Sequence, residues 1–219
     1  MQVFGVKNPS VDLEAKGLGK VSTYWNLSPA ALIEKTIRLN QGKLAKSGAL
    51  TVDTGQFTGR SPKDRFIVKD DITAASVDWG DVNQAISPEQ FDGLYEKVIN
   101  HLNNCGEIYV KDAYACANLD YRLNIRVYTE HPWQSLFVHN MFLRPSQKAK
   151  RTVEPDWEVF AAPGCLANPA IDGTRQENFA IINFTKKQVI IGGTAYTGEI
   201  KKSIFSALNF LLPTERGVL

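Results

Sequence analysis

The sharpest periodicity lies between residue 88 and about residue 103. Phe91, Leu94, Tyr95, Val98, Ile99 and Leu102 recur at three- and four-residue intervals, which lines them up as one apolar stripe on an α-helix. Ser87 and Gln90 stand where a capping box would start that helix, and the stripe reads as core. A second helix opens at Ser28-Pro29, a good N-cap followed by the residue best suited to the first helical position. Leu32, Ile33, Thr36 and Leu39 continue it, and Gly42 is the expected stop. A short helix is predicted over 132–141. A last one spans about 199–212, with Ile200, Ile204, Leu208 and Leu211 on its buried face and Pro213 ending it. Short apolar runs predict strands over 49–52, 65–69, 108–110, 125–128, 179–183 and 188–191, the last two flanking 184–187 as a hairpin. The first twenty residues mix charge, Gly and Pro and read as a lead-in segment. Irregular alternation of strands and helices, with one hairpin, predicts an α/β fold: a mixed β-sheet domain with flanking helices rather than a regular doubly wound one.

Composition narrows the class. At 219 residues the chain makes one large domain or two small ones, and a chain of this size buries about 70% of its unfolded surface without staples. Hydrophobic residues make up 43% and charged residues 22%, which argues against disorder. The net charge of +2 is too small to suggest nucleic-acid binding. The longest unbroken apolar run, 113–117, is far short of the roughly 18 residues of a membrane span. No basic stretch followed by an apolar core opens the chain, so no secretory signal is expected. Cys105, Cys116 and Cys165 fit neither a disulfide framework nor a CxxC zinc site. Cytoplasmic localisation, with no membrane and no nucleic-acid partner, is the expectation.

Two stretches carry chemistry. The first, 53–65, reads Asp-Thr-Gly-Gln-Phe-Thr-Gly-Arg-Ser-Pro-Lys-Asp-Arg. Gly55 and Gly59 let backbone N–H groups approach a ligand, Thr54, Thr58 and Ser61 add hydroxyls, and Arg60 adds a planar fork for carboxylate or phosphate. Between two predicted strands, the loop would sit at a sheet end. The alternative is a solvated turn with surface ion pairs among Lys63, Asp64 and Arg65. The Walker motif G-x-x-x-x-G-K-S/T occurs nowhere in the chain. The second stretch, 191–202, runs from a strand through a glycine-rich turn into a helix, the geometry that aims helix-end N–H groups at an anion. Lys201 and Lys202 stand in that helix's first turn, where a cation is disfavoured by about 0.3–1 kcal/mol, and a local rule broken in this way points to function. A second ammonium, and more so a metal ion, lowers a lysine's pKa, which would let a neutral amine ligate a metal. The alternative is a solvated lysine pair.

The remaining candidates read as structural. His101 lies near the end of the long helix, as a favourable helix-end cation. His131 and His139 match no metal-ligand spacing. Arg144, Lys148, Lys150 and Arg151 read as a solvated face without the interleaved aromatics of a nucleic-acid site. Glu130 and His131 could stand near a cleft, while Trp133 and Phe137 read as core. Cys116 and Cys165 have no base nearby in sequence. Asp120, Arg122 and Arg126 could form an ion-pair network.

Together the two stretches, extended to 51–68 and 190–203, resemble the ATP-dependent phosphoenolpyruvate carboxykinase family. So do 129–145, with Trp133-Gln134, Asn140-Met141-Phe142 and Arg144-Pro145, then 176–179 and 209–213. The resemblance covers nearly the whole chain from about Gly17. It implies conversion of oxaloacetate and ATP into phosphoenolpyruvate, ADP and carbon dioxide, in gluconeogenesis. It implies that Arg60 binds a substrate carboxylate or the product's phosphoryl group and that Tyr196 lines the same pocket. Lys202 would ligate the catalytic manganese ion as a neutral amine and also touch substrate, and Lys201 beside it would help hold its pKa down. Cations at the enolate oxygen left by decarboxylation would stabilise its charge and direct it at the γ-phosphate.

The family's P-loop, its metal-binding His and Asp and an arginine on the phosphates follow in the second half of a chain over twice this length. The resemblance is therefore to the family's N-terminal, substrate-side domain over 1–219, and the chain, stopping just past a helix, reads as cut. Mn2+ and Mg2+ with ATP are implied for the full-length enzyme, with none expected to bind this chain tightly. Its expected partners are oxaloacetate or phosphoenolpyruvate and its own C-terminal nucleotide-binding domain. Alone it is expected to be catalytically incomplete. The other reading from the residues is a free-standing, non-catalytic module that binds carboxylates or phosphates.

Overall fold

The computed structural model describes residues 1–212; Pro213 and the predicted helix stop there lie outside the described residues. In chain order the elements are β1 (Val3–Gly5), β2 (Ser22–Trp25), α1 (Pro29–Arg38), β3 (Gly42–Leu44), β4 (Leu50–Val52), β5 (Arg65–Val68), β6 (Gln84–Ile86), α2 (Pro88–Asn104), β7 (Glu107–Ala115), β8 (Leu123–Thr129), α3 (Pro132–Met141), β9 (Trp157–Ala162), α4 (Pro169–Asp172), β10 (Phe179–Asn183), β11 (Gln188–Gly192) and α5 (Gly198–Leu211). Nine strands form one mixed sheet in the order β1-β2-β7-β8-β9-β11-β10-β5-β6, with β3 and β4 as a separate ribbon. Only β7–β8 and β10–β11 pair antiparallel within the large sheet, so the architecture is the mixed α/β sheet that the pattern predicts.

Both faces of the central strands are buried, and alternate residues serve different cores. Phe179 and Ile181 of β10, Ile190 of β11 and Phe160 of β9 pack with Phe91, Leu94, Val98 and Leu102 of α2. Ala180, Ile182, Val189, Ile191 and Val159 pack on the other face with Ile200, Ile204 and Ala207 of α5 and Val138 of α3. The Ser87–Gln90 capping box forms as predicted, and Ser28 Oγ accepts from the Ala31 N–H at the start of α1.

Several expectations need correction. Helix α1 ends at Arg38 rather than Gly42, because Asn40 takes the left-handed conformation with φ of 56° that closes the turn. Leu211 is half exposed, and Ala207 takes a place on the buried face of α5. Strand β4 belongs to the ribbon, so the loop after it joins ribbon to main sheet rather than two strands of one sheet. The predicted Asp120–Arg122–Arg126 network does not form: Arg126 pairs with Asp112 on β7, and Arg122 donates to the Cys116 and Ala117 carbonyls.

Helix α3 carries a pH-sensitive group. Burial, then the charges of Lys111, Arg144 and Lys150, pull the His139 imidazole from 6.5 down to about 4. Between these values the unfolded chain holds a proton that the folded chain lacks. The stabilising contribution of neutral His139 is therefore complete above pH 6.5 and is lost as the pH falls towards 4. Urea unfolding at pH 7 and pH 4.5 should show a smaller stability difference in His139→Gln than in the wild type; equal differences would refute this assignment.

Candidate functional site

Strand register gathers the chemistry-bearing segments at one sheet end. Arg65, the first residue of β5, stands opposite Ala180 near the start of β10. Phe179 pairs with Gly192, the last residue of β11, and Gly192 with Ala162, the last of β9. Thr129 at the end of β8 faces Ala161 on one side and Tyr109 near the start of β7 on the other. Thus the loop before β5, the segment before β10, the turns after β8, β9 and β11, and the C-terminal end of α2 share this end.

In the glycine-rich loop, Gly55 has a φ of +71°, the left-handed region. Asp53 Oδ1 accepts from the Gly55 N–H at 2.8 Å, and the Thr54 hydroxyl donates to the Phe57 carbonyl at 2.9 Å. A Cβ on Gly59 would meet nothing within 4 Å, so protein packing does not demand its glycine. Arg60 is exposed. After β11 the backbone is tighter. A Cβ on Gly193, at φ +67°, would fall 2.6 Å from the Glu177 carbonyl oxygen. One on Gly198 would fall 2.3 Å from the Tyr196 ring, which therefore lies across the first residue of α5. Lys201 is exposed, and Lys202 is half-buried with Nζ 4.4 Å from the Phe205 ring centroid.

Two buried carboxylates tie these segments together, and neither stood among the sequence candidates for a site. Asp64, 1% exposed, accepts from Arg175 Nε at 2.9 Å and Nη2 at 2.8 Å, from Gln176 Nε2 at 2.6 Å and from Asn178 Nδ2 at 3.4 Å. Glu199, 2% exposed in the first turn of α5, accepts from the Ser61 N–H at 3.2 Å, and Arg65 Nε stands 3.3 Å from its other oxygen. The turn at 63–65 is therefore not a local ion-pair cluster: Asp64 and Arg65 reach partners more than a hundred residues away, and Lys63 is exposed. The first turn of α5 holds the acid that the helix dipole favours, and Lys201 and Lys202 follow it. The signal available in sequence is a Glu at the first residue of the predicted helix, where the helix dipole favours an acid, two and three residues before Lys201 and Lys202. Burial pushes the Glu199 carboxyl above its usual range, opposed by Arg65, the Ser61 N–H and Arg60. Arg60 thus lies within the electrostatic reach of Glu199 and Arg65.

Beside this junction lies a cleft of about 480 Å³, walled by Asp53–Phe57, Gly193, Ala195, Glu130, His131, Trp133 and Gly164, among others. Glu130 and His131 do stand at a cleft, and Trp133 is buried as well as lining it. Arg60, Tyr196, Lys201 and Lys202 are not among the cleft walls; the structure joins their two loops through Glu199. Among the described residues no trio of His, Cys, Asp or Glu donors surrounds Lys202. The Lys202 amine by itself is not a complete coordination shell.

Comparison with known proteins adds a family. The family model described as phosphoenolpyruvate carboxykinase matches residues 21–219. A protein of Christiangramia forsetii named phosphoenolpyruvate carboxykinase (ATP) is 55% identical over 210 residues, 96% of this chain and 39% of the relative. The Flavobacterium johnsoniae protein of the same name is 51% identical over 96% of this chain and 39% of its own length. That of Geobacillus kaustophilus is 48% identical over 92% and 38%. The chain spans about two fifths of the length of these relatives.

Proposed function

The chain belongs to the phosphoenolpyruvate carboxykinase family, and from that premise we propose that it supplies the substrate-side part of an ATP-dependent carboxy-lyase. The reaction is conversion of oxaloacetate and ATP into phosphoenolpyruvate, ADP and carbon dioxide, in the cytoplasm and in the gluconeogenic direction. The observation that supports this reading is the junction at Glu199 and Asp64. Segments 53–65, 175–178 and 193–202, far apart in sequence, are tied to one sheet end by hydrogen bonds and an ion pair to the buried carboxylates of Asp64 and Glu199.

In this reading the exposed Arg60 receives the substrate carboxylate or the product phosphoryl group, for which its planar fork is suited. Glu199 takes the Ser61 N–H on one oxygen and has Arg65 as countercharge 3.3 Å from the other, while Arg60 forms no ion pair with it among the described residues. Tyr196 borders the same ligand from the second loop. Lys202 neutralises charge developing on the enolate oxygen, and Lys201 adds to the positive field. Manganese and magnesium with ATP belong to the intact enzyme, together with a nucleotide-binding domain. Of these residues, Lys202 is the donor that would contribute to holding the metal, whose charge would supply further stabilisation of the enolate.

Lys202→Met is expected to lower kcat at least about 100-fold, the usual effect of removing one transition-state donor. Arg60→Ala is expected to raise the Kd for phosphoenolpyruvate about 10–100-fold, the worth of one or two charge-assisted hydrogen bonds. Both are read in the full-length enzyme, by manganese-dependent phosphoenolpyruvate formation and by calorimetry. Wild-type values in both variants would overturn the assignment. Tight, metal-independent carboxylate binding by this chain alone, without turnover in any longer form, would establish the anion-binding module instead.

A further inference from the structure

We propose that His101, Cys105 and Glu130 form a binding site for one zinc-class divalent cation, separate from the chemistry at Lys202. One ligand atom from each lies within 4.8 Å of the others. His101 Nε2 and Glu130 Oε2 are 3.1 Å apart, close to the roughly 3.3–3.8 Å between donors on a tetrahedral ion with bonds of about 2.0–2.3 Å. Imidazole, thiolate and carboxylate together suit zinc better than magnesium or calcium, which take oxygen ligands.

The site is held from three elements. His101, in the last turn of α2, and Cys105, its C-cap, are four residues apart and share a helix face. Glu130 follows the last residue of β8. The Gly164 N–H, after β9, donates to Glu130 Oε2 at 2.9 Å and orients it. A Cβ on Gly164 would stand 2.8 Å from His101 Cε1 and 2.9 Å from Glu130 Oε1, so glycine there keeps the cluster open. On binding, the thiol proton leaves to solvent and the sulfur exchanges its contact with the His101 carbonyl, now 3.3 Å, for a metal bond. Glu130 and Gly164 also wall the 480 Å³ cleft, which gives the ion a route in and leaves its fourth position open to water.

The test uses Zn2+ and Co2+ alone, in competition with a chromophoric chelator. One ion per chain is expected. Cys105→Ser and Glu130→Gln should each weaken binding at least about 100-fold, the upper limit for loss of a merely orienting partner. Glu130→Gln keeps an acceptor for the Gly164 N–H, so an unchanged melting temperature separates ligand loss from unfolding. With Co2+ a near-ultraviolet thiolate charge-transfer band should appear in the wild type and in Cys165→Ser and vanish in Cys105→Ser. Absence of stoichiometric binding, or a band that survives Cys105→Ser, would overturn the site. Neither result depends on carboxykinase activity.

Discussion

Replacing Arg126 with methionine is expected to cost about 3–5 kcal/mol of unfolding free energy, the effect of stripping one partner from a buried ion pair. Arg126 on β8 is 1% exposed and stands in register opposite Asp112 on β7. Its Nε donates to Asp112 Oδ1 at 2.7 Å, its Nη2 donates to the Val153 carbonyl at 3.0 Å, and its guanidinium lies 5.2 Å from the Trp25 ring. Methionine replaces most of the volume but none of the charge. Asp112, buried and bonded on its other oxygen to Asn26 Nδ2 at 2.7 Å, is then left as an anion inside the sheet layer. The double variant Arg126→Met, Asp112→Leu should recover most of the loss, because the pair itself is worth little against apolar residues of similar size. Urea unfolding of the four-member cycle measures this coupling. A single-variant cost under about 1 kcal/mol would mean that water reaches Asp112.

The same pair shows where the sequence was hard to read. The apolar run predicts a strand only over 108–110, short of Lys111-Asp112. Strand β7 runs on to Ala115 because each charge has a partner that only the fold supplies: Arg126 for Asp112, and the Leu27 carbonyl for Lys111. No expected strand covers β9, although it lies at the centre of the sheet with Val159 to Ala162 fully buried. Its Glu158 interrupts the apolar run and takes Lys16 and the Tyr128 hydroxyl. Local periodicity was enough where an element carries its own instructions, as in the capped and striped α2 or the α3 that matches 132–141 residue for residue. It failed where charge is neutralised at a distance.

The candidate site divides along the same line. Arg60, Lys201 and Lys202 stand out in the sequence because glycine-rich turns and misplaced cations break local rules, and Tyr196 enters only through the resemblance. Asp64 and Glu199 were not, since a carboxylate beside lysines and arginines looks like a solvated ion pair until Arg175, 111 residues from Asp64, closes on it. His101, Cys105 and Glu130 likewise belong to a helix end and a strand end that only the β7–β8 pairing brings together.

Glu199→Ala is expected to cost about 3 kcal/mol, the lower end for removing one partner of a buried pair, because Arg65 keeps some solvent contact at 23% side-chain exposure. One group loses its countercharge and another its acceptor. The Arg65 guanidinium is left beside Arg60 with no countercharge, and the Ser61 N–H loses its bond. Ser61 anchors the end of the glycine-rich loop, so the loss should appear locally as well as globally, as at least tenfold faster amide hydrogen exchange at Ser61. Glu199→Gln separates the two roles. Glutamine still accepts from Ser61, and a carboxyl that burial already pushes towards its neutral form resembles an amide more than an exposed glutamate does. The Gln variant should therefore lie within about 1.5 kcal/mol of the wild type, the net worth of an ordinary hydrogen bond, with Ser61 protection retained. It also removes a negative charge near Arg60. If the proposed substrate role holds, phosphoenolpyruvate should then bind the full-length Gln variant at least as tightly as the wild type, whereas in Glu199→Ala the unanchored loop should bind it more weakly. If Gln and Ala weaken the ligand equally, the charge of Glu199 rather than its grip on Ser61 organises the loop, and the tethering role assigned to it is wrong.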